Sequence, residues 1–101
     1  MAKKSMIARE VRRTKLVAKY KVRRQSLRDQ VVNTSLSSDE RWRAMLDLQK
    51  LPKNSTKSRQ RNRCALTGRP RGYYRKFGLS RSKLREIIMQ GDVPGTTKSS
   101  W

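Results

Sequence analysis

Residues 59–81 read RQRNRCALTGRPRGYYRKFGLSR, and this stretch decides how the chain is read. It holds eight Lys and Arg and no Asp or Glu. Gly68, Pro70, Gly72 and Gly78 punctuate it as turns. Tyr73, Tyr74 and Phe77 place half of the chain's six aromatic rings within five residues. Arg forks onto phosphate oxygens and stacks on bases, and aromatic rings stack on unpaired bases. A short hairpin-like strand is predicted around residues 73–75, with Phe77 as packing for Leu79 and Leu84. Of the two tyrosines one is expected to meet RNA, and Tyr73 is assigned that part.

Downstream, Ser80 or Ser82 caps a last helix with Leu84, Ile87 and Ile88 on one face. Gly91 sits at its stop and Pro94 lies just beyond. Residues 95–101 read as a loose tail ending on Trp101, expected to insert against RNA or a neighbouring protein. Upstream, residues 53–61 are polar, basic and rich in Ser and Thr, hence an extended linker. Ser37 and Glu40 stand at capping-box spacing and open a middle helix that Pro52 ends. Its apolar face is read as Trp42, Met45, Leu46 and Leu48, with Trp42 packing beneath it or, alternatively, touching a neighbouring protein. Residues 33–38 form a turn.

Neither Gly nor Pro occurs before Pro52, so the first arm reads as helix. Two narrow apolar stripes run along it. One is Ile7, Val11, Ala18 and Val22; the other is Leu16, Tyr20, Leu27 and Val31. Lys and Arg fill the space between, so the helix repels itself until phosphates neutralise it. The chain divides into a basic helical arm (1–36), a middle helix (37–52), a basic linker (53–62) and a compact C-terminal module (63–101).

Charge decides the broad class. The 101 residues carry 27 Lys and Arg against 7 Asp and Glu, a formal charge of +20. Residues 1–30 are net +9, 31–52 are neutral and 53–101 are net +11. The neutral middle is the part suited to touch protein. Apolar residues make up 34%, below the roughly 45–50% of an ordinary globular domain, so an enclosed catalytic pocket is not expected. Nucleic acid is the default partner of such a chain. No apolar run approaches membrane length, and no secretory signal opens the sequence. With one cysteine and no histidine, intramolecular disulfides and His-dependent catalytic or zinc sites are excluded. A non-specific cationic condenser fits the composition too, but would not need the arrangement of residues 67–81.

That arrangement resembles the bacterial small-subunit ribosomal protein fourteen family. The carrying motifs are Arg59 to Cys64, Thr67-Gly68-Arg69-Pro70, and Tyr74 to Arg81. The start Met1 to Met6 with Arg9-Glu10, the pair Arg41-Trp42, Leu48 to Pro52, Gly91 to Gly95 and the ending Lys98 to Trp101 are similar as well. Arg71 departs from the pattern, where His is expected in many relatives. Cys64, Thr67, Ser80 and Lys83 keep the spacing of a four-ligand zinc ribbon with one cysteine left, which resembles the long, zinc-free form.

The resemblance implies a mainly α, extended fold: long basic N-terminal helices plus a small zinc-ribbon-derived C-terminal module lacking the zinc. It implies a structural, non-enzymatic place on 16S-type rRNA in the small-subunit head, near the decoding region. Small-subunit ribosomal proteins three, ten and nineteen would be neighbours, without cofactor, metal, membrane or homo-oligomer. A cytoplasmic ribosome is expected, with plastid and mitochondrial ribosomes left open. The RNA-facing set carried over by position is Arg59, Arg61, Arg63, Arg69, Arg71, Arg75, Lys76 and Arg81. Lys3, Lys4, Arg9, Arg12, Arg13, Arg23, Arg24, Tyr73, Lys98 and Trp101 join it.

Overall fold

The computed structural model describes residues 1–99, so the expectation for Trp101 lies outside the described residues. The chain is mainly helical with one small sheet, in the order α1 (Lys4–Val32), α2 (Ser38–Lys50), β1 (Tyr73–Tyr74), β2 (Leu79–Ser80) and α3 (Arg81–Gln90). Two short 3-10 turns, Lys53–Ser55 and Lys57–Arg59, lie between α2 and β1, where the sequence suggested an extended linker. The chain forms two units: residues 8–60, and residues 61–101 together with residues 1–7.

In the unit of residues 8–60, α1 runs without interruption because nothing in it breaks a helix, yet it buries no residue. Of its two stripes, Leu16, Tyr20, Leu27 and Val31 are half-buried, while Val11, Ala18 and Val22 stay exposed. Asn33 follows the helix, its side-chain oxygen accepting from the Ser35 N–H at 3.0 Å, which closes the turn into α2. Ser37 then caps α2 with the reciprocal box: its hydroxyl accepts from the Glu40 N–H, and the Glu40 carboxylate accepts from the Ser37 N–H.

The inward face of α2 differs from the expected one. Ala44 (4% exposed) and Leu51 (8%) are buried, and Arg41 and Leu48 are half-buried. Trp42, Met45 and Leu46 are exposed instead, Trp42 at 58%. Residues 41, 44, 48 and 51 fall at helical spacing, so the small Ala44 marks the close approach while the large ring points outward. Arg41 secures this rotation, its Nε donating to the Val31 carbonyl at 2.9 Å. That bond also satisfies one of the carbonyls orphaned at the end of α1.

In the other unit, β1 and β2 pair antiparallel, Tyr73 opposite Ser80 and Tyr74 opposite Leu79. The predicted hairpin is present, closed by bonds from the Phe77 and Gly78 N–H groups to the Tyr74 carbonyl. Leu84 of α3 is the buried apolar anchor, with Ile87 and Ile88 half-buried beside it. Ser80 holds the N-cap position of α3, but its hydroxyl makes no capping bond. Gly91 ends α3 in the left-handed region at φ 82°, and its N–H reaches back to the carbonyls of Ile87 and Ile88.

Candidate nucleic-acid interface

The cysteine loop organises the C-terminal unit. The Cys64 N–H bonds to the Arg69 carbonyl at 3.0 Å, and the Gly68 N–H to the Cys64 carbonyl at 2.9 Å. The Ala65 N–H reaches the Gly78 carbonyl at 3.1 Å, tying the loop to the hairpin. Cys64 is buried at 3% exposure. Burial pushes its thiol up, but hydrogen bonds from the Thr67 side chain, the Ser80 backbone, the Thr67 backbone and the Ser80 side chain outweigh this. The result is a fall from 9.0 to about 6. The hydroxyl missing from the α3 cap is therefore spent on the sulfur. This donor set does not suit zinc, since hydroxyls are weak ligands and the Lys83 ammonium repels a cation. Among the described residues no three or more His, Cys, Asp or Glu gather.

Several arginines of the expected set hold this loop with part of the guanidinium. Arg63 Nη1 donates to the Gly68 carbonyl at 3.0 Å, and Arg61 Nε to the Pro70 carbonyl at 3.1 Å. Arg69 Nη1 reaches the Ser82 hydroxyl at 3.4 Å. Arg63 and Arg69 are half-buried. An Arg has five donors, so a single brace engages only part of each guanidinium. Lys3, Lys4, Arg71, Arg75, Lys76, Arg81 and Lys98 are exposed. Lys76 lies 5.7 Å from the centroid of the Phe77 ring. Tyr73 is half-buried while Tyr74 is 51% exposed. Tyr74 and Arg85, both absent from the expected set, are thus presented by the same unit. Strand alternation carries the signal for Tyr74, because adjacent strand residues face opposite sides.

In the unit of residues 8–60, Arg9, Arg12, Arg23 and Arg59 are exposed, and Arg13 and Arg24 half-buried. Arg13 pairs with Glu10 at 3.2 Å, and Arg59 Nη1 donates to the Asn54 side chain at 3.2 Å. Arg24 acts as a brace: Nε donates to the Ser55 hydroxyl at 2.8 Å and Nη2 to the Pro52 carbonyl at 3.2 Å. Ser55 is only 1% exposed, so this bond holds a 3-10 turn against α1. Beside it opens a cleft of about 380 Å³ lined by Lys21, Arg24, Arg28 and Lys57 among others. Lys21, Arg28 and Lys57 were not in the expected set. Only the tertiary placement of residue 57 beside α1 gathers them.

Each unit carries a net charge of +10: 15 basic against 5 acidic residues in one, 12 against 2 in the other. Among the described residues no helix is long and apolar enough to cross a membrane. Such a distribution attracts polyanions. Residues 47–100, more than half of the chain, match the family described as ribosomal protein S14p/S29e. The cationic loop, hairpin and last helix all lie within that match, and the chain belongs to this family of ribosomal proteins, with a role in the small subunit.

Proposed function

We propose that the chain is an architectural constituent of the small-subunit head that binds 16S-type rRNA near the decoding region. The observation that supports this most is the pair of +10 units, each presenting exposed Arg and Lys, in a member of a ribosomal protein family. Cationic side chains displace counterions from several RNA helices and hold them in one arrangement. The cysteine loop and hairpin fix the register, and no covalent step is assigned. The neutral stretch 31–52, with Trp42 exposed, faces protein in this reading, and small-subunit ribosomal proteins three, ten and nineteen are the neighbours. The C-terminal module is read as derived from a zinc ribbon, supported by Cys64, Thr67 and Ser80 meeting at one sulfur. A cytoplasmic ribosome is its place.

The test is binding of the purified chain to small-subunit head RNA and to an unrelated RNA duplex of equal length, across a salt series. A steep salt slope with a preference of ~1000-fold or more for the head RNA is expected, the low end for specific recognition of DNA sites. Equal affinity for the two would reduce the protein to a general cationic binder.

A further inference from the structure

The unit formed by residues 1–7 and 61–101 carries a second feature besides its charge: a groove of about 740 Å³ along one side of α3. Its position follows from the hairpin. Tyr74 pairs with Leu79, one residue before the N-cap of α3, so its ring stands beside the first turn of that helix. Arg81, Arg85 and Met89 follow at intervals of four, so they share one helix face, and Ile88 lies one turn beyond Arg85 on the same side. All five line the groove, together with Lys98 from the following segment.

The chemistry of this lining is divided. Tyr74 (51% exposed), Met89 (58%) and half-buried Ile88 supply an aromatic face and an apolar floor. Arg81, Arg85 and Lys98 supply three cations, and no carboxylate lines the groove. A duplex backbone would use only the cations and would leave the ring and thioether against water. A nucleotide whose base is unpaired uses both. Its base lies flat on the Tyr74 ring and the Met89 thioether, and its phosphates meet the arginines. The volume falls within the range of about 300–1,000 Å³ common for small-ligand sites.

We propose that this groove takes one unpaired nucleotide of the bound RNA, its base stacked on Tyr74 and its flanking phosphates held by Arg81 and Arg85. The assignment rests on the RNA-binding reading above and adds what duplex neutralisation does not require: a site for a base turned out of its helix.

The experiment uses the full chain and two probes, a blunt RNA duplex and the same duplex carrying a single bulged 2-aminopurine. Wild type is expected to bind the bulged probe more tightly and to change its fluorescence as the base stacks. Tyr74→Ala is expected to weaken the bulged complex by ~5–150-fold, the range of one base stack, with duplex affinity within about twofold. Tyr74→Phe keeps the ring and should keep the preference. Arg85→Gln, at an exposed helix position, should weaken both probes, the bulged one more, without disturbing the hairpin. Equal losses on both probes, or none on either, would overturn the groove assignment. So would displacement of the probe by a poly-glutamate peptide with the same Tyr74 dependence, which would make the occupant an acidic protein segment. Head RNA bound no better than unrelated duplex, with the bulge preference intact, would instead refute the ribosomal site and leave the groove standing.

Discussion

Gly68 is the position where the structure sets the most specific demand on sequence. It is buried, its φ is +72°, and a Cβ added there would lie 2.8 and 2.9 Å from Ile7 Cδ1 and Cγ1 and 3.2 Å from Ala2 Cβ. Two costs follow from Gly68→Ala. An L-residue in the left-handed region costs roughly 1–2 kcal/mol. Overpacking against Ile7, which is 39% exposed and can turn toward solvent, adds roughly 1–3 kcal/mol. The expected loss is about 2–5 kcal/mol, and a 2 kcal/mol loss lowers Tm by at least ~8 °C in a chain of this size. The assay is thermal unfolding of the full chain followed by circular dichroism, in sulfate to screen its charge. Ile7→Ala separates the two costs. In that background the steric part vanishes and only the backbone part remains, so the double-mutant cycle should show about 1–3 kcal/mol of coupling. A loss below about 0.5 kcal/mol for Gly68→Ala, or additive effects of the two substitutions, would refute this account of the loop.

Three further outcomes can be checked on the same chain. The Cys64 thiol is lowered from 9.0 to about 6 on folding, so its contribution is fully present above pH 9 and is lost as pH falls through about 6. Stability should therefore rise across that window, where no histidine titrates, and Cys64→Ser should abolish the rise; an unchanged slope in the variant would remove the thiolate from the account. Ser37→Ala removes the capping box of α2 and should cost about 1 kcal/mol, whereas Ser37→Gly should cost only a few tenths, both read by thermal unfolding. Arg24→Met leaves the buried Ser55 hydroxyl without its donor and should cost about 1–2 kcal/mol, with amide protection falling first over residues 53–59. Unchanged protection there would show that Arg24 is not a brace.

Much of the local structure was legible in the residues, because its causes are local. The pairing of Ser37 with Glu40 wrote the start of α2, and Gly91 wrote the end of α3. The absence of Gly and Pro before Pro52 wrote α1 as one uninterrupted helix. Glycines around two tyrosines wrote the hairpin, and the charge balance wrote the class of partner. The structure brings Arg61, Arg63 and Arg69 to the cysteine loop, but their division of labour was hidden in the sequence. A guanidinium that braces a carbonyl and one that faces solvent are the same letter in a sequence.

Tertiary contacts decided everything that depends on which face turns inward. Period 3.6 places residues on stripes but does not rank two stripes of similar apolarity, so Leu16, Tyr20, Leu27 and Val31 could not be preferred over Val11, Ala18 and Val22. Size misled at α2, where hydrophobicity points to Trp42 but close approach needs Ala44, and Arg41 locks that rotation through Val31. Tyr73 and Tyr74 differ only by strand parity, which is set by pairing with Ser80 and Leu79. The Ser80 hydroxyl turned from its expected cap to a sulfur sixteen residues upstream. The sequence by itself determined the helices, the turns and the polyanionic partner, since propensity, capping and net charge act over a few residues or over the whole chain. Which cations brace, which ring is presented and what surrounds Cys64 were decided only by tertiary structure, because those properties belong to pairs of residues distant in sequence.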